Sequence, residues 1–118
     1  MNDAEHREQV RLFAWAEWAR MDHPELGLLF AVPNGGRRDK VTGARLKAEG
    51  VKAGVPDVWL PVARQGFHGL VIEMKADEKG RPSKEQVKWL ADLTEQGFLA
   101  VVCHGCEAAK GVIVEYLR

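Results

Sequence analysis

No stretch of this chain is apolar for long enough to cross a bilayer, and its first residues, with Asp3, Glu5 and Glu8, contain no secretory-signal core. A cytoplasmic protein is expected. Net charge is missing too: 17 Lys and Arg stand against 17 Asp and Glu, so overall basicity does not announce a polyanionic partner. Cysteine is scarce. Cys103 and Cys106 form one C-x-x-C, but only a dozen residues follow it, too few for a thioredoxin-like fold. A structural zinc site would need two more ligands, for which His6 and His68 are poor candidates. The pair is therefore read as two small residues at a strand end. Internal repeats and low-complexity linkers are absent, and 118 residues suffice for one core but not two.

The charge that is present is segregated. From Arg37 to Gly54 the bases Arg37, Arg38, Lys40, Arg45, Lys47 and Lys52 face only Asp39 and Glu49, while the N-terminal third leans acidic. Apolar spacing predicts a helix over Asp3 to Met21, with Val10, Phe13, Ala14, Trp18 and Met21 recurring at helical intervals. On it Glu5 and Gln9 lie one turn apart, on a stripe running toward Leu12, Phe13 and Ala16. A break at His23-Pro24-Glu25 precedes a strand over Gly27 to Val32, and Pro33-Asn34-Gly35-Gly36 reads as a turn. Thr42 is placed to cap a short helix through Ala48. Strands follow over Gly54 to Leu60 and Gly69 to Ala76, joined around Gln65-Gly66-Phe67-His68. A helix from Ser83 to Gln96 would turn Val87, Leu90, Ala91 and Leu93 inward, and Ser83-Lys84-Glu85-Gln86 spells a capping box. Phe98 to Cys103 and Val112 to Leu117 read as two further strands around a turn or short helix at Glu107 to Lys110. The expected architecture is α/β, a mixed sheet flanked by helices.

Within Gly69 to Ala76, strand alternation sends Val71, Glu73 and Lys75 to one face and Leu70, Ile72 and Met74 to the other. An acid and a base thus share one side of a strand apolar enough to be covered, where unpaired charge costs several kcal/mol. If the hairpin turns between Gln65 and Gly66, paired residues sum to about 131, which sets Asp57 opposite Met74 and beside Glu73 and Lys75. Two carboxylates about 4 Å apart repel by roughly 4 kcal/mol at an effective dielectric of 20. They would therefore be poised for a hard cation such as Mg²⁺ or Mn²⁺, the kind of ion that assists phosphodiester hydrolysis. Lys75 could hold the attacking water and meet the charge that builds on phosphorus.

Pro56-Asp57, fifteen residues, then Glu73-Met74-Lys75 resembles the PD-(D/E)xK nuclease superfamily, and more closely its VRR-NUC (virus-type replication-repair nuclease) branch. The resemblance extends to Glu5 with Gln9, to Val32-Pro33-Asn34-Gly35-Gly36, to Gly54-Val55 and to Ser83 with Gln86. It implies a restriction-endonuclease-like fold, with Asp57 and Glu73 as metal-binding carboxylates and the Met74 carbonyl as a further ligand. It also implies Lys75 as the catalytic lysine, Glu5 as the helix-one acid and Gln86 near the active site. Glu8, one turn on, takes the place of Glu5 if the helix is phased differently, and the capping box alone would also account for Gln86. Minimal members of that family act as homodimers on branched DNA such as four-way (Holliday) junctions, whereas larger relatives cut flaps. A junction-cleaving homodimer is the expected function; the alternatives are a flap or nicking nuclease and a DNA-binding module without turnover. Contacts to DNA phosphates are expected from Asn34, Gly35, Arg37, Arg38, Lys40, Arg45, Lys47 and Lys52. Trp15, Trp18, Trp59 and Trp89 offer area either for an interface or for a partly buried core. The four histidines carry no assignment.

Overall fold

A computed structural model describes residues 2–33 and 40–118. Its elements are α1 (Asp3–Ala19), a 3₁₀ turn (Pro24–Leu28), β1 (Phe30–Ala31), α2 (Lys40–Ala48), β2 (Val58–Leu60), β3 (Leu70–Lys75), α3 (Lys84–Glu95), β4 (Leu99–His104) and α4 (Cys106–Tyr116). The sheet runs β1-β2-β3-β4, antiparallel except for the parallel pair β3–β4. The mixed α/β architecture expected from the sequence is the one found. No described helix is long and apolar enough to cross a membrane.

One sheet face carries the apolar core. Val58 and Leu60 of β2, Leu70, Ile72 and Met74 of β3 and Cys103 of β4 pack with Leu12, Ala16 and Ala19 of α1 and Cys106, Ala109 and Ile113 of α4. The other face carries Glu73 and Lys75 and is met by Gln86 of α3. Every residue of β3 is buried, which is why its two charges need partners within the fold.

Several elements differ from the sequence reading. The stretch Val112 to Leu117, read as an apolar strand, belongs to helix α4. Cys106, Ala109, Ile113 and Tyr116 recur at three, four and three residues, and that helical stripe is what becomes buried. On α1 the inward stripe is Leu12, Ala16 and Ala19, whose two alanines let the helix approach the sheet; Val10, Trp18 and Met21 are 53, 70 and 85% exposed. On α3, Val87 and Ala91 face solvent while Leu90 and Leu93 are half-buried. Helix α2 already includes Lys40, so Thr42 lies inside it rather than capping it. The predicted first strand shortens to two residues because a 3₁₀ turn takes Pro24–Leu28.

The hairpin tip falls where expected: Arg64 bridges Phe67 around Gln65 and Gly66, both at positive φ. Between that tip and the Leu60–Leu70 pair lie three residues on the β2 side but two on the β3 side. The Val62 N–H donates back to the Leu60 carbonyl at 2.8 Å and takes up the extra residue, as a bulge does. Pairs in the strands therefore sum to 130, not 131. Continued by one step, this register sets Asp57 opposite Glu73 rather than Met74, and the two carboxylates share a face.

Candidate active site

Asp57, Glu73 and Lys75 are 5, 1 and 7% exposed, the buried charged residues among those described. Asp57 closes the approach to β2, where its carbonyl accepts from Val32 N–H at 2.8 Å and its Oδ2 accepts from Met74 N–H at 2.8 Å. The carboxylate is thereby held across β3. Lys75 Nζ lies 3.6 Å from Glu73 Oε2. Gln86 joins the two: its Nε2 donates to Glu73 Oε2 at 2.9 Å, and its Oε1 accepts from Lys75 Nζ at 3.2 Å.

The capping box and the site prove to be one structure. Ser83 N–H donates to the same Gln86 Oε1 at 2.8 Å, and Ser83 Oγ accepts from Gln86 N–H at 3.2 Å, so the cap that starts α3 also fixes the amide that grips Glu73 and Lys75. Gly54, at φ +84°, lies against that helix start. A Cβ there would fall 2.7 Å from Glu85 Cβ and 3.0 Å from Gln86 N, so only glycine lets the segment leading to Asp57 pass. Gly80 plays a matching part over Lys75, whose Cβ would lie 2.9 Å from any added methyl.

Electrostatics set Glu73 apart. Burial pushes its carboxyl up to about 9; the neighbouring Asp57, by hydrogen bonding and charge, pushes the same way, and Lys75 opposes both. Glu73 Oε1 is buried, and in the ionised acid it has no donor among the described residues, whereas the protonated acid can hydrogen-bond Asp57. Such an atom costs free energy unless something else meets it. No group of three or more His, Cys, Asp or Glu among the described residues forms a ready-made metal cage. Asp57 and Glu73 are the two acids the fold brings together here.

The helix-one residues are placed differently. Glu5 engages Asn2 at the start of α1, accepting from Asn2 Nδ2 at 2.8 Å while its N–H donates to Asn2 Oδ1 at 2.7 Å. Glu8 reaches across to α4, where its Oε1 accepts from Cys106 N–H at 2.8 Å; this bond holds its carboxyl below the usual range. Neither acid hydrogen-bonds Asp57, Glu73 or Lys75 among the described residues. Gln9 Oε1 is buried and without a partner there. The only signal in the sequence for the Glu8 cap is its four-residue spacing to Leu12, which marks it as inward. Cys103 and Cys106 are free, buried thiols, at the end of β4 and the start of α4.

Lys40, Arg45, Lys47 and Lys52 are exposed on and just after α2. Asn34, Gly35, Arg37 and Arg38, the other expected phosphate contacts, lie outside the described residues. Of the tryptophans, Trp59 is sandwiched between Phe30 and Phe98, Trp15 lies under Lys110, and Trp18 is open to solvent.

Comparison with known proteins adds an independent line. The family profile of the VRR-NUC domain matches residues 6–107, a span that begins just after Glu5. A solved VRR_NUC domain protein superposes with a TM-score of 0.84 at 28% identity, over 99% of this chain and 90% of that one. A second solved VRR_NUC domain shares the fold at a TM-score of 0.58 and 20% identity, over 98 and 99% of the two chains. No curated protein matches the chain. With a family profile covering most of its length and a buried Asp-Glu-Lys cluster on its central strands, the chain belongs to the VRR-NUC family, as a nuclease-type DNA-processing domain.

Proposed function

We propose that the protein is a divalent-metal-dependent endonuclease that hydrolyses phosphodiester bonds in branched DNA, acting on four-way junctions as a homodimer. The observation that carries the reading is the buried cluster of Asp57, Glu73 and Lys75, in which Glu73 Oε2 faces Lys75 and Gln86 while its Oε1 has no donor among the described residues. Two buried carboxyl groups beside a buried ammonium are more than a purely structural role calls for, since apolar residues of similar size would fill the same space at lower cost. The donor set fits Mg²⁺ or Mn²⁺: Asp57, Glu73 and the Met74 carbonyl supply hard oxygens, and an ionised Glu73 needs a nearby cation in so dry a position. When bound there, the ion would neutralise phosphate charge and lower the pKa of water.

The chain's own residues do the rest. Lys75, its aliphatic stem packed against Gly80, presents its ammonium to the phosphate and to the attacking water. Gln86 keeps that ammonium and Glu73 in register, so the charge meeting the transition state is in place beforehand. Exposed Lys40, Arg45, Lys47 and Lys52 would track the DNA backbone without reading sequence.

Dimerisation is favoured by two features. Each chain carries one such site, whereas symmetric cleavage of two strands needs two sites related by a two-fold axis. Val10 and Trp18 on α1 and Met21 just after it are also exposed, apolar side chains that an interface could cover. The test combines sedimentation of the protein with cleavage of labelled four-way junction, flap and linear duplex. A dimer that makes paired, symmetric cuts in the junction is expected. A monomer that cuts flaps, or nicks all three alike, would replace this reading with the flap or nicking nuclease.

A further inference from the structure

Trp89 lies on α3, one turn beyond Gln86, and borders two open clefts. The cleft on the Val32 side has a volume of about 340 Å³, with walls formed by Val32, Val51, Val55 and Trp89 and with Lys52 as the one charged lining residue among those described. The indole is not free to turn, because its Nε1 donates to the Ala53 carbonyl at 3.0 Å. A fixed aromatic ring, aliphatic side chains and a single cation make a surface suited to a flat, π-bearing group attached to an anion.

The walls of the cleft are tied through the backbone to the Asp57 site. Val32 N–H donates to the Asp57 carbonyl at 2.8 Å, and Val55 precedes Asp57 by two residues. On the helix side, Gly54 abuts Glu85 and Gln86, so the segment that floors the cleft also positions the amide gripping Glu73 and Lys75. Its volume is at the low end of the range for small-ligand pockets and is ample for one nucleobase.

We infer that this cleft receives one unpaired nucleobase of the DNA substrate, stacked on Trp89, with Lys52 on an adjoining phosphate. The inference rests on the nuclease reading and gives it a substrate class: strands in which a nucleotide beside the cut is already out of the stack. Branch points and bulges supply such a nucleotide at little cost, whereas an intact duplex must first unstack one. Selectivity for distorted DNA would then come from the cleft rather than from the carboxylates.

The test uses the full chain in EDTA, so that no strand is cut, and duplexes in which a single 2-aminopurine is either paired or left unpaired in a bulge. The expected result is tighter binding of the bulged duplex by on the order of tenfold, together with quenching of the unpaired 2-aminopurine as it stacks on the indole. Trp89→Ala should remove both the preference and the quenching while affinity for the paired duplex holds, which also shows that the variant is folded; Trp89→Phe should keep part of each. Equal affinity of the native protein for the two duplexes, or an equal loss on both in Trp89→Ala, overturns the inference and leaves the nuclease reading standing. Failure to bind either DNA overturns both.

Discussion

Replacing Glu73 by Gln in the metal-free protein should change how stability depends on pH. The Glu73 carboxyl goes from an ordinary value of 4.5 in the unfolded chain to about 9 in the fold, chiefly because it is buried. Between those values the folded state holds one more proton than the unfolded state, so stability must fall as pH rises. The contribution is fully present below about 4.5 and is lost as pH climbs through about 9. One extra proton corresponds to about tenfold in the folding equilibrium per pH unit, hence about a hundredfold, or about 3 kcal/mol, from pH 6 to pH 8. That is a large share of the 5–15 kcal/mol typical of a domain. Glu73→Gln keeps the shape and the acceptor for Gln86 Nε2, offers Asp57 a permanent donor, and has no proton to lose. With EDTA present, the native urea midpoint should drop by roughly 1–3 M between pH 6 and pH 8 while that of the variant changes far less. Parallel profiles for the two proteins would refute the assignment of Glu73 as the buried, proton-holding acid.

Three further outcomes follow from particular side chains. Gln86→Ala should lower kcat on branched DNA by about 10²-fold, with a smaller effect on KM, because the variant loses the bridge between Glu73 and Lys75 rather than a hold on DNA; an unchanged kcat would reduce Gln86 to its helix cap. Tyr116→Phe removes the hydroxyl that donates to the buried Val62 carbonyl at 2.6 Å, and chemical denaturation should register a loss of about 1–3 kcal/mol. Neutralising Lys40, Arg45 and Lys47 together should lower the slope of log affinity against log salt by nearly one for each phosphate these side chains neutralise in the native complex; an identical slope would make α2 ordinary surface.

The site was more legible in the sequence than the packing around it. Alternation along Val71 to Lys75 placed Glu73 and Lys75 on one face without any knowledge of the fold, because the pleat has a period of two. The partnership of Asp57 with Glu73 was less secure. It depends on the one extra residue held by the Val62 to Leu60 turn, and nothing in Pro61-Val62-Ala63 announces that turn in advance. Gln86 illustrates two signals in one residue: the capping box was readable from Ser83, but its second hand on Glu73 and Lys75 exists only once α3 lies across β3. The C-terminal strand failed because the apolar run Val112, Ile113 and Val114 outweighed the buried spacing from Cys106 to Tyr116, and because the tie from Glu8 to the start of α4 joins residues far apart in the chain. On α1 two apolar stripes were available, and the alanine-rich one packed closest to the sheet.

The most direct test of the central claim is cleavage of a labelled four-way junction by the native protein and by Asp57→Ala, with Mg²⁺, with Mn²⁺ and with EDTA, alongside a binding assay on the same DNA. Cuts that require the metal and vanish in Asp57→Ala, while junction binding persists in both proteins, are the predicted result. Cleavage by the variant at the native rate, or native protein that binds the junction and never cuts it under any of the three conditions, would contradict the account.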